Sequence, residues 1–183
     1  MKFNVPFFAT LLCGAALLGG CDDTPQVFIA LQSDFASFES WNSYQLSQAP
    51  LSGHPDGPRV GFLNKKPPHG SITYPVGSII VKEVQATAAN GDFTQWPLFA
   101  MAKRGGGYDS AAAKDWEWFL LSFTKNRIPV IVDRGLAPTS NPDGGDFYMN
   151  ATGAGLRCNY CHAALNTEQT DHVLSPLLAP STF

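Results

Sequence analysis

Residues 158–162 read Cys-Asn-Tyr-Cys-His, which places two thiols and an imidazole within five residues. Cys-x-x-Cys-His is the attachment signal of c-type haem. The spacing follows from the chemistry. Each thiol adds to one vinyl group of the porphyrin, so Cys158 and Cys161 are expected to give two thioethers. The histidine beside the second cysteine then lies beneath the iron, and His162 is the expected axial ligand of one covalent haem c. Two other chemistries use paired thiols. A redox disulfide of the thioredoxin kind belongs to a reduced βαβ unit, and no such pattern surrounds this motif. A zinc site needs four ligands, and there is no second pair of cysteines to complete one.

The other thiols point to the compartment. The N-terminus reads MKFNVPFFATLLCGAALLGGCDD. Lys2 supplies a single positive charge, Val5 to Leu18 form an apolar run, and small residues lead to Cys21. This is an export-signal pattern, and its apolar run is short for a membrane span. Leu18-Gly19-Gly20-Cys21 resembles a bacterial lipobox, in which the cysteine is acylated and becomes the first mature residue. An ordinary cleaved signal and a retained anchor are the alternatives. The expected organisation is a signal over 1–20, a tether over 21–27 and a haem domain over 28–183. A periplasmic protein, lipid-anchored to the inner or outer bacterial membrane, follows from it. Of the four cysteines, Cys13 leaves with the signal and Cys21 carries lipid. Only Cys158 and Cys161 remain, so the domain must hold by packing rather than by a structural disulfide.

Composition narrows the class. The chain has 183 residues, 44% hydrophobic and 15% charged, which is globular rather than disordered. A net charge of −3 leaves no basic footprint for nucleic acid. The 14 Pro and 17 Gly argue against long helices.

The elements that must position the motif are mostly short strands. Ser78 to Val84, SIIVKEV, is β-branched and compact; Arg59–Leu63, Pro97–Lys103, Trp116–Phe123 and Ile128–Val132 are further strand candidates. Alternation puts Ile80, Lys82 and Val84 on one face and Ile79, Val81 and Glu83 on the other. Leu31, Phe35, Phe38 and Trp41 recur near helical spacing, which predicts an amphipathic helix over Ala30–Tyr44. Asp133 to Gly155 reads as a long polar loop, and CNYCHAAL as the start of a short helix. No repeat is visible. Strands without regularly alternating helices predict a single α+β domain, mainly antiparallel sheet with a few flanking helices.

The motif lies late, with 21 residues after His162 and no Met among them. Met101, Met149, His54, His69 and His172 are the candidates for a sixth ligand. None is compelled. An open coordination position, meaning ligand binding or catalysis rather than electron relay, follows.

Taken together, these segments resemble the cytochrome P-460 family, which includes the β-sheet cytochromes c-prime-beta. The likeness covers roughly Phe38 to Ser175. It rests on the early aromatic helix expected around Trp41, on RVGFLN, YPVGSIIVKE and WEWFLLSF, and on CNYCH followed by TDHVLS. The resemblance implies one haem c with His162 as proximal ligand, a distal side open to nitrogen compounds, and often a homodimer. It implies that Lys82 matches the lysine cross-linked to the porphyrin edge in the P-460 enzymes, and that Arg59 lies near the pocket. The distal carboxylate of those enzymes falls at Phe99 here, an apolar wall like that of the c-prime-beta members. By itself, Lys82 also suits a lysine that snorkels to solvent, and Phe99 suits plain core packing.

The expected function is an exported haem c protein that binds or converts small nitrogen species, nitric oxide first. Hydroxylamine oxidation is supported by Lys82 and opposed by Phe99. A periplasmic electron-transfer cytochrome with a sixth protein ligand, served by an unnamed redox partner, is the alternative.

Overall fold

Six strands follow one another across a single antiparallel sheet, each hydrogen-bonded to the next in sequence. They are β1 (Asn42–Leu46), β2 (Arg59–Leu63), β3 (Ile79–Val84), β4 (Leu98–Lys103), β5 (Trp116–Phe123) and β6 (Pro129–Gly135). Among the described residues two short α-helices flank them, α1 (Gln32–Phe35) and α2 (Cys158–Ala164). The structure is a computed structural model and describes residues 25–47, 57–85, 92–110, 112–136, 158–164 and 168–183. The expected single domain of mainly antiparallel sheet with few helices is what the chain forms.

The central strands form because their side chains are buried on both faces. Val60, Phe62, Ile79, Val81, Leu98, Ala100, Phe119 and Leu121 make one core face. Phe35 and Phe38 lie over it; Phe38 meets Phe62 edge-on at 5.0 Å, and Phe35 meets Phe119 at 5.2 Å. Burying each such ring contributes about 1.5–3 kcal/mol before ordering costs. The other face carries Leu63, Ile80, Met101, Trp116 and Trp118 under Val173 and Leu178. Val84, Phe99 and Leu120 continue it towards Cys158.

Two expectations fail here. The predicted helix over Ala30–Tyr44 is a single turn, α1, then a 3-10 turn at Phe38–Ser40, and then β1. Of Leu31, Phe35, Phe38 and Trp41, only Phe35 and Phe38 are fully buried, while Leu31 is exposed. Its Ser, Asp and Asn residues are weak helix formers. Pairing of Tyr44 with Gly61 and Leu46 with Arg59 in the sheet outweighs propensity. At the other end, the loop expected from Asp133 begins later. Arg134 extends β6 because Glu117 of β5 holds its guanidinium through two bonds, at 2.9 and 3.0 Å.

The chain joins the sheet at the last residue of the expected tether. Val27 bridges Gly105, and the Phe28 N–H donates to the Arg104 carbonyl at 2.8 Å. Gly105 has φ +71, and a Cβ there would strike the Gln26 carbonyl and lie 2.6 Å from Val76 Cγ2. Only glycine fits this crossing. The expected signal and Cys21 lie outside the described residues.

Candidate functional site

Helix α2 begins at the first cysteine of the motif and lies on β5. Positions three apart in a helix share a face, so the turn that joins Cys158 to Cys161 presents both thiols in one direction. Both are half-buried thiols with no disulfide between them. Burial raises the pKa of Cys161, and the Lys82 charge partly offsets this.

His162 packs against Trp118 of β5, ring centroids 4.4 Å apart and planes 55° to each other. Its Nδ1 lies 2.6 Å from the His172 carbonyl oxygen. A carbonyl only accepts, so Nδ1 carries the hydrogen and donates it. The lone pair is thereby left on Nε2, the tautomer that a metal-ligating histidine needs. Burial, with lesser contributions from the Lys82 and His172 charges, lowers the imidazole pKa to about 4 against the pull of its backbone bond.

That depression sets a pH window. An unfolded histidine titrates near 6.5. Between there and about 4, the unfolded chain binds a proton that folded His162 refuses. The contribution is intact above pH 6.5, declines as pH falls to about 4, and is constant below. The full loss is about 3 kcal/mol, of which about 2 kcal/mol falls between pH 7 and pH 4.5. Urea melts of haem-free protein at pH 7 and pH 4.5 would measure it, and His162→Gln should flatten the slope by that amount.

The sheet brings the other candidates to the same place. Gly61, Lys82, Phe99 and Leu120 stand in line across β2 to β5. Lys82 Nζ sits 4.9 Å from the centroid of the Phe99 ring. Phe99 packs with Val84 and Leu120, and Cys158 packs against that cluster. Burial first, then the Arg59 charge, lowers the Lys82 pKa to about 7, while the two motif thiols pull it up. A lysine near pH 7 is partly neutral and therefore a competent nucleophile. Arg59 is buried at the end of β2, in register with Val84, and its Nη1 donates to the Ser47 carbonyl at 3.2 Å. Arg59, Lys82, Phe99, Cys158, Cys161 and His162 therefore share one side of the sheet.

The sixth-ligand candidates sort differently. Met101 is buried beside Trp118 in the core. His69 is exposed in its loop. His172 is buried, and its carbonyl holds His162. His54 and Met149 lie outside the described residues. Comparison with known proteins finds no matching family model, no similar curated protein and no similar solved structure. Among the described residues, no group of three or more His, Cys, Asp and Glu side chains converges to chelate an ion. Nor is any helix among them long and apolar enough to cross a membrane.

Two contributors escape sequence reasoning. Trp118 supports His162, and its buried Nε1 has no hydrogen-bond partner among the described residues. Alternation in WEWFLLSF pairs Trp116 with Trp118 on a face, but both faces are apolar, so the pattern cannot say which one meets the motif. Asp171 is the second. Nothing in TDHVLS marks this carboxylate as buried.

Proposed function

We propose that this protein is an exported mono-haem c-type cytochrome of the P-460 and c-prime-beta kind, binding small nitrogen species at an open distal position. The observation that carries the reading is the 2.6 Å bond from His162 Nδ1 to the His172 carbonyl, which leaves Nε2 as the donor nitrogen beside two thiols one helical turn apart. The residues around the motif fit the group. Phe99, Leu120 and Val84 supply an apolar wall. The buried Trp118 Nε1 is a donor suited to a carboxylate or ring substituent of a bound cofactor. Arg59 and Lys82 place positive charge where porphyrin carboxylates or a polar ligand call for it.

Haem, when bound, supplies a redox-active iron with one axial site for a diatomic ligand. Cys158 and Cys161 would hold it, and His162 would bind the iron. Phe99 excludes water, so a neutral diatomic loses little solvation on entry. It offers no base, so proton-releasing oxidation of hydroxylamine is slow. Arg59 can donate a hydrogen bond to a bound ligand. Lys82 is the residue that would face the porphyrin edge, and a covalent bond there would appear in the mass of the haem peptide.

The test is titration of the reduced protein with nitric oxide. A five-coordinate, high-spin spectrum that changes stoichiometrically on addition is expected. A six-coordinate low-spin spectrum unmoved by nitric oxide would sink the open site and promote the electron-transfer reading.

The same reading places the protein on a membrane facing the periplasm. Two acyl chains on Cys21, each CH₂ worth about 0.8 kcal/mol on burial, make a stable anchor. Cys21→Ser is expected to shift the protein from the membrane to the soluble fraction, or to stall its processing. Wild-type protein recovered wholly as soluble periplasmic material would refute the lipobox.

A further inference from the structure

The carbonyl that holds His162 belongs to a turn with two successive residues at positive φ. Asp171 and His172 have φ of 50° and 63° in succession. Asp and His tolerate the left-handed region better than most side chains, but two such residues in succession are uncommon, and contacts from outside favour the turn. Its own bond runs from the Val173 N–H to the Thr170 carbonyl at 3.0 Å.

Asp171 supplies the outside hold. It is buried, and its Oδ1 pairs with Lys103 Nζ of β4 at 2.5 Å. Its Oδ2 accepts the Tyr74 N–H at 2.8 Å. Its backbone carbonyl accepts the Trp116 Nε1–H at 2.8 Å. Lys103 donates also to the Lys114 carbonyl at 3.1 Å and lies 5.0 Å from the Trp116 ring centroid. One residue is thus tied to β4, to β5 and to the Tyr74 loop, and the next residue presents its carbonyl to His162.

We propose that Asp171, paired with Lys103, is a positioning residue that sets the His172 carbonyl against His162 Nδ1 and thereby tunes the axial imidazole. It rests on the reading of His162 as the haem ligand. A short bond to a fixed acceptor makes the imidazole a stronger donor and stops its rotation. When the ion pair is lost, the turn relaxes, the acceptor withdraws, and Nε2 donates less to iron.

The experiment compares haem-loaded wild type with Asp171→Asn, Asp171→Ala and Lys103→Met. The readouts are the iron–histidine stretching band of the reduced protein and the reduction potential. The band is expected to shift to lower frequency and the potential to rise, Asp171→Asn least because its amide oxygen still accepts from Tyr74. Glu117→Gln controls for general loosening. It weakens an ion-pair cluster on the other face in which the carboxylate is as buried as that of Asp171, while Arg104 and Arg134 are partly exposed. Its melting temperature should fall while band and potential stay.

Unchanged band and potential in both Asp171→Asn and Lys103→Met would overturn the proposal. So would an equal shift in Glu117→Gln. Should wild type carry no haem, the functional reading fails, and nitrogen NMR of His162 still decides this one. The Nδ1-protonated tautomer is expected in wild type and a tautomer mixture in Asp171→Asn. The same single tautomer in both would overturn the hold.

Discussion

Cys158→Ala,Cys161→Ala is expected to leave a colourless band on a denaturing gel stained for haem, with wild type retaining its stain. Acid acetone should extract any colour from the double variant and none from wild type. The loss is all or none because each thioether is a covalent bond, and no other described residue is a thiol. Misfolding is not the cause. Both cysteines are only half-buried, and Cys158 packs at the margin of Phe99 and Leu120 rather than in the centre of the core. Trading such a thiol for a methyl costs about 1 kcal/mol or less, a small part of a domain's stability. An unchanged far-ultraviolet dichroism spectrum checks this. His162→Ala should keep the stain and lose the axial bond, seen as a changed spectrum on a still-coloured band. A wild-type band that bleaches in acid acetone would overturn the haem reading altogether.

Phe99→Glu should raise hydroxylamine oxidation by on the order of 10²-fold if Lys82 is bonded to the porphyrin, which is the low end of what a positioned base contributes. Without that bond the gain should be small. Position 99 stands in register with Lys82, whose Nζ is 4.9 Å from the present ring centroid. A carboxylate there meets a lysine whose pKa is about 7 in the native protein. An opposite charge at that range favours both charged forms and offsets the cost of placing Glu against Val84 and Leu120. The variant should therefore fold, with nitric oxide binding weakened by a wetter wall. Phe99→Gln separates polarity from proton acceptance, since it wets the wall without offering a base. Equal activity in the Gln and Glu variants would remove the base from the explanation. No gain in Phe99→Glu, with the Lys82 bond demonstrated by mass, would remove Phe99 from control of the reaction.

The covalent chemistry proposed for Cys158, Cys161 and His162 comes from the sequence alone, because it depends only on spacing along five residues. The central strands were legible for a similar reason. Period-2 burial is local, so Arg59–Leu63 and Trp116–Phe123 appear with the bounds expected of them, and Lys82 shares a face with Ile80 and Val84. What alternation cannot say is which face of a doubly buried strand meets which partner. That Trp118 and Phe99, rather than Phe119 and Leu98, turn towards α2 was decided by docking between segments some 40–60 residues apart. The segment around Trp41 became a strand because β2 offered an edge, a choice that helical spacing of Phe35 and Phe38 does not record. Asp171 shows the same limit most plainly. Its burial depends on Lys103, 68 residues earlier, and on Tyr74, 97 residues earlier, so its part in holding His162 exists only once the sheet has closed beneath it.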